Sequence, residues 1–169
     1  MIHACETGSS EEDAMKSVLF ICTGNIFRSV AAEYALKAQV GPTAQSLIGS
    51  AGIEALPQPL DPLIRDRLRQ KGADPSAHVQ RKLTRELLER AEVPVAMGLD
   101  HRLFIRRHFG RDVLLFRELC CGIEEPVLDV HEAVPDWQRN PEAARAYVLS
   151  VIEFIWTAMP AFLARLSSG

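Results

Sequence analysis

Ser17-Val18-Leu19-Phe20-Ile21-Cys22, followed by Thr23-Gly24-Asn25-Ile26-Phe27-Arg28-Ser29, is the stretch on which the fold turns. Its first half is a short, unbroken apolar run rich in β-formers. That pattern suits a strand buried on both faces, as in a parallel sheet. A Gly-Asn turn follows, and Ser29 to Val40 reads as a helix with Ala32, Tyr34, Ala35 and Leu36 available for packing. Outward from this unit the alternation repeats. Ser46 to Ala51 is a second strand candidate, ended by Gly52. Asp61 is placed to cap a helix with Pro62 at its first position, running to Gly72. Thr84 caps another helix candidate in which Leu87, Leu88 and Ala91 are apolar. Val93 to Met97, His101 to Phe109 and Asp112 to Phe116 read as strand, helix and strand. The last element is a helix entered through Asn140 and Pro141, where Val148, Ile152, Ile155, Met159 and Leu163 recur at helical spacing as a core stripe. Alternating strands and helices predict an α/β domain with a parallel sheet. In such sheets ligands bind beyond the carboxyl ends of the strands, so the loop after the first strand is where chemistry is expected.

Composition narrows the class. The 169 residues fit one domain with a sizeable core. A net charge of -3 provides no global basic field for nucleic acid or anionic membrane. Arg102, Arg106 and Arg107 read as a solvated helix face. Cys5, Cys22, Cys120 and Cys121 form no spaced disulfide or zinc framework, which predicts a reduced, cytoplasmic protein. Met1 to Lys16 lack the basic start and apolar core of a signal peptide. Residues 1–14, Ser-rich and acidic from Glu6 to Asp13, are expected to be a disordered tail, and residues 15–169 the domain. Glu153, Pro160 and Arg165 interrupt the longest apolar run, around Ala146 to Leu166, so no membrane span is expected.

Cys22 and Arg28 stand six positions apart. In an Arg-rich chain that spacing alone carries little weight. Context adds to it: the cysteine closes a buried strand, the arginine opens a helix, and Gly24 and Asn25 between them suit unusual backbone angles. A short turn of this kind can point successive backbone N–H groups inward beside a helix N-terminus, forming a concave anion site. The same field favours Cys22 as a thiolate. Arg28 can bind two phosphate oxygens with its planar fork, and the Ser29 hydroxyl can donate to the cysteine sulfur.

The stretch from Val18 to Glu33 closely resembles the signature loop of the low molecular weight protein tyrosine phosphatases. The resemblance extends through most of the chain from Met15 onward, including Ser50-Ala51-Gly52, His78 to Leu83, Ala96-Met97 through His101, and Pro135-Asp136. It implies a single three-layer α/β domain with a four-stranded parallel sheet flanked by helices, flavodoxin-like and of the phosphotyrosine phosphatase I type. It also implies hydrolysis of phosphotyrosine and aryl phosphates through a phosphocysteine intermediate, with no cofactor and no metal. In that scheme Cys22 is the nucleophile, and Thr23, Gly24, Asn25, Ile26, Phe27 and Arg28 hold the phosphate. Ser29 supports the thiolate, and Asn25 also braces the loop.

Expelling a phenolic oxygen calls for a proton donor, and Asp129 and Asp136 are the candidates. The family's spacing, counted back from Val148 and Ile152, selects Asp136, with Asp129 read as a surface residue. Several positions depart from the family pattern. Trp137 stands where a proline normally follows the acid, Val30 replaces a proline, and Phe27 replaces a frequent second cysteine. Without that cysteine no protective disulfide can form in the loop, so oxidised Cys22 is expected to proceed toward irreversible acids. Leu56 and Trp137 are the expected substrate wall. The aliphatic Leu56 resembles bacterial members that act on tyrosine kinases of polysaccharide export, which makes such a kinase the expected partner. An arsenate reductase on this scaffold would need two more cysteines around Met97 to His108, and there are none. A phosphate-binding module without turnover is the other alternative.

Overall fold

Residues 14–169 are described by a computed structural model, so the expected tail falls almost wholly outside the described residues, as does Cys5. Four strands form one parallel sheet in the order β2-β1-β3-β4: β1 Val18–Cys22, β2 Ile48–Gly52, β3 Val93–Ala96 and β4 Leu114–Leu115. β1 lies in the interior, and its side chains alternate between two cores. Val18, Phe20 and Cys22 face one cluster, which also takes in Val30, Leu36, Ile64, Leu68, Ile152, Ile155 and Phe162. Leu19 and Ile21 face a second, smaller cluster with Leu88, Ile105 and Leu115. A strand that must fill both faces has no polar alternation, which is why the run was continuous in sequence.

The first face is covered by α1 (Arg28–Lys37), α3 (Pro62–Gln70), α6 (Phe116–Cys121) and α8 (Pro141–Ser167). The second is covered by α4 (Arg85–Arg90) and α5 (Leu99–Phe109). Two one-turn helices, α2 (Pro42–Gln45) and α7 (Val130–Ala133), complete the fold. The caps expected from sequence are made: Asp61 accepts the Leu63 amide at 2.8 Å, Thr84 that of Leu87 at 3.2 Å, and Asn140 that of Ala143 at 3.2 Å. The main differences lie near the chain's end. β4 stops at Leu115 instead of continuing to Phe116, because Glu118 accepts the Leu115 amide at 2.7 Å and turns the chain into α6.

α8 carries the core stripe expected of it. By length and composition alone it could cross a membrane, with a mean hydropathy of 1.6 over its most apolar window. Its stripe, however, is occupied inside the domain: Val148, Ile152, Ile155 and Met159 are buried and Leu163 is half-buried, while the neighbouring Phe162 is fully buried. Phe162 lies 5.3 Å from Phe20 and stacks on Phe116 at 5.5 Å. Each such buried side chain contributes about 1.5–3 kcal/mol of transfer free energy.

Candidate active site

The loop from β1 to α1 wraps around the end of the sheet. Asn25, with φ of 54°, is the one non-glycine residue in the left-handed region among the described residues. A turn through that region lets neighbouring amides converge, making a concavity for an anion. Among the described residues, no amide from Thr23 to Phe27 donates to the protein's backbone. Asn25 is fully buried, and its side chain sets the loop's shape. The Arg81 amide donates to Asn25 Oδ1 at 3.0 Å, so both amide hydrogens of Nδ2 face the other way. They go to Ser29 Oγ at 3.0 Å and Ser50 Oγ at 2.8 Å. Because Ser29 Oγ accepts from Asn25, its own proton is free for Cys22 Sγ, 2.9 Å away. Ser50 Oγ in turn donates a hydrogen bond to Glu33, which Lys37 neutralises at 2.6 Å. His78 Nε2 donates to the Asn25 carbonyl at 2.9 Å. Gly52 permits this close approach: a Cβ there would lie 2.5 Å from the Thr23 carbonyl oxygen and 2.8 Å from the Asn25 amide nitrogen.

Arg28 is 2% exposed. Its Nη1 donates to the Val127 carbonyl at 2.9 Å, and its Nη2 pairs with Asp129 Oδ2 at 3.1 Å. Asp129 caps α7 through Val130 and, with Cys22 and Arg28, lines a cavity of about 700 Å³. Thr23, Gly24, Ile26 and Phe27 line the same cavity, as does the expected wall residue Trp137. Asn25, expected to hold the phosphate, and Ser29 are fully buried behind this lining, and Asp136 and Leu56 fall elsewhere. Asp136 is exposed and is not among the cavity's lining; its carbonyl accepts the Arg139 and Asn140 amides at 2.8 and 3.0 Å, closing a turn before α8. Counting back from α8 overlooked that turn, and the carboxylate brought to Cys22 and Arg28 is that of Asp129. Leu56 is 70% exposed and also lies outside the cavity's lining. Sequence reasoning missed the Val127 carbonyl, Asp61 and Leu63 in the cavity wall, and His101 beside Thr23. Asp129 carried one usable signal, a capping pattern with Glu132 that marks the start of α7.

A cysteine at the end of a central parallel strand, a loop shaped for an anion and a buried arginine opening the next helix form the arrangement of a phosphatase that uses a cysteine nucleophile. The comparisons with known proteins agree. Residues 17–167 match the family model described as low molecular weight phosphotyrosine protein phosphatase, and the chain belongs to that family. A protein-arginine-phosphatase of Bacillus subtilis is 30% identical over 122 residues, which are 66% of this chain and 77% of that protein. The low molecular weight protein-tyrosine-phosphatase Ptp of Acinetobacter johnsonii is 34% identical over 93 residues, 54% of this chain and 63% of its own. Among solved structures, a mutant of YwlE from Bacillus subtilis superposes with a TM-score of 0.71 at 26% identity, covering 89% of this chain and 97% of that one.

Proposed function

We propose that the chain is a protein tyrosine phosphatase working through a phosphocysteine intermediate, with Asp129 as general acid. The observation that carries this reading is the cavity holding Cys22, Arg28 and Asp129 together, with Ile26, Leu63 and Val148 as apolar wall. An aromatic ring fits such a wall while its phosphoryl group meets the loop. Cys22 Sγ attacks phosphorus in line, forming the S–P bond as the P–O bond to the phenol breaks. Asp129 donates a proton to the departing oxygen. Water then attacks phosphorus and loses a proton to Asp129, and the S–P bond breaks with the Ser29 hydroxyl donating to the leaving sulfur. The loop amides and Arg28 hold the three equatorial oxygens throughout, and positioned charge of this kind supplies most of the rate gain in phosphoryl transfer.

A second reading has its own support. The Bacillus subtilis relative is a protein-arginine-phosphatase, and Asp61 joins Asp129 in the cavity wall, where two carboxylates could receive a guanidinium. Phosphotyrosine is the first reading because Ile26, Leu63, Ile64, Trp137 and Val148 make the wall mostly apolar, although His131, Gln138 and Arg145 also line it. The proposed physiological partner is a phosphotyrosine protein of the cytoplasm, with a bacterial tyrosine kinase of polysaccharide export as the candidate class. The support from Leu56 is weakened by its position outside the cavity's lining. The test compares hydrolysis of a phosphotyrosine peptide, a phosphoarginine peptide and p-nitrophenyl phosphate by wild type and Cys22→Ser. Turnover of phosphotyrosine that vanishes in Cys22→Ser supports the proposal. A preference for phosphoarginine replaces it with the second reading, and binding without turnover makes the protein a recognition module.

A further inference from the structure

Two loops that enter helices on opposite faces of the sheet meet beside Cys22. β1 and β3 are adjacent; the loop after β1 leads into α1 on one face and the loop after β3 into α5 on the other. Where they part, Thr23 Oγ1 of the first loop lies 2.8 Å from Nε2 of His101, in the first turn of α5. His101 is fully buried. Its Nδ1 receives the Gly98 amide hydrogen at 2.9 Å, so that nitrogen carries a lone pair and the ring proton sits on Nε2. His101 therefore donates to Thr23. Arg28 Nη2 lies 3.5 Å from the same hydroxyl oxygen, at the outer limit of a hydrogen bond. With two donors directed at its oxygen, the Thr23 hydroxyl has its own proton left to give, and Thr23 lines the cavity next to Cys22.

We infer that His101 is a positioning residue of this site: as a neutral imidazole it holds the Thr23 hydroxyl as a hydrogen-bond donor to the phosphoryl group and keeps it in register with Arg28. The inference rests on the reading of the Cys22 loop as the phosphoryl site. The charges around His101 are consistent with a neutral ring. Burial, and then Arg28 from α1, push its pKa down to about 4, against the opposing pull of Asp100 on α5 and Asp129 before α7. With that shift the ring is uncharged near neutral pH. Gly98 gives it room, since a Cβ there would lie 3.1 Å from His101 Nδ1.

Thr23→Val removes the hydroxyl with little change in volume, Thr23→Ser restores it, and His101→Leu removes the donor behind it. Thr23→Val is expected to lower kcat by roughly 10- to 100-fold, the scale for one lost donor in such a site. Thr23→Ser should stay within about threefold, and adding His101→Leu to Thr23→Val should cost little more, because both act through one hydrogen bond. Imidazole 15N spectra of the wild type should show the neutral Nε2–H form from about pH 5 upward. The inference is overturned if Thr23→Val retains kcat within about twofold, if the two losses multiply, or if the spectra show the Nδ1–H tautomer. If His101→Leu does not fold, the two Thr23 variants and the tautomer decide. A wild type without turnover would sink the phosphatase reading, and the spectra together with the affinity of the Thr23 variants for inorganic phosphate would still test this one.

Discussion

Asp129→Asn exchanges one carboxylate oxygen for an amide in a side chain that does three things. Its Oδ1 accepts the Val130 amide at 2.8 Å, its Oδ2 pairs with Arg28 at 3.1 Å, and under the proposed mechanism it donates the proton to the leaving group. Asparagine can keep the first role, so α7 should remain capped. It loses the second, yet Arg28 stays anchored through Nη1 on the Val127 carbonyl at 2.9 Å, so its guanidinium remains available to an anion. The third is lost as well, and it is the loss that reaches the chemical step, at a cost of about 10²- to 10⁴-fold in kcat. At 1.36 kcal/mol per tenfold this is about 2.7–5.4 kcal/mol of transition-state stabilisation. Steady-state kinetics on a phosphotyrosine peptide should therefore show a large fall in kcat, while inhibition by inorganic phosphate stays as strong as in the wild type or strengthens. The loss should be smaller on p-nitrophenyl phosphate, whose more acidic phenol needs less protonation. Asp136→Asn is the paired control and should stay within about twofold, as for a surface substitution. A hundredfold loss in Asp136→Asn, with Asp129→Asn near wild type, would refute the reasoning and restore the acid expected from spacing.

Other outcomes follow from the same geometry. Gly52→Ala forces a Cβ against backbone atoms of Thr23 and Asn25, so the loop must move. A loss of phosphate affinity and of kcat is expected, with a fall of about 1–3 kcal/mol in urea-measured stability. His101 makes stability depend on pH. With a folded pKa of about 4 against 6.5 for the free side chain, its contribution is fully present above pH 6.5 and lost as pH falls toward 4. The loss amounts to about 3 kcal/mol. Urea titrations of wild type and His101→Leu should differ in their slope with pH across that window, and parallel curves would count against the burial argument. Phe27 leaves the loop without a second thiol, so activity lost to peroxide should return only partly on thiol treatment, and full, rapid recovery would contradict this.

Local chemistry accounts for what was legible. The run from Val18 to Cys22 could be read as a doubly buried strand because a central parallel strand must be apolar on both faces. Asp61, Thr84 and Asn140 could be read as caps because a cap acts within a few residues of itself. Cys22, Arg28, Ser29 and Asn25 were legible because one loop of eight residues contains all of them. α6 and α7 were missed because a side chain three residues on, Glu118 or Glu132, turns the chain in each case. Such short reversals leave no periodicity to count.

The amino-acid sequence by itself pointed to Cys22, Arg28 and the sheet beneath them. The tertiary structure decided which carboxylate faces them. Asp129 and Asp136 are seven residues apart on the same irregular segment, and both precede α8. Their difference arises from α7 and the turn after it, which leave Asp129 against Arg28 and Asp136 in an exposed turn. It also decided that His101 stands behind Thr23, seventy-eight residues away in sequence. The physical reason is common to both: a proton donor or a positioning side chain acts over about 3 Å. Only the packing of β3 against β1, and of the α7 segment over the first loop, brings such distant residues within that range.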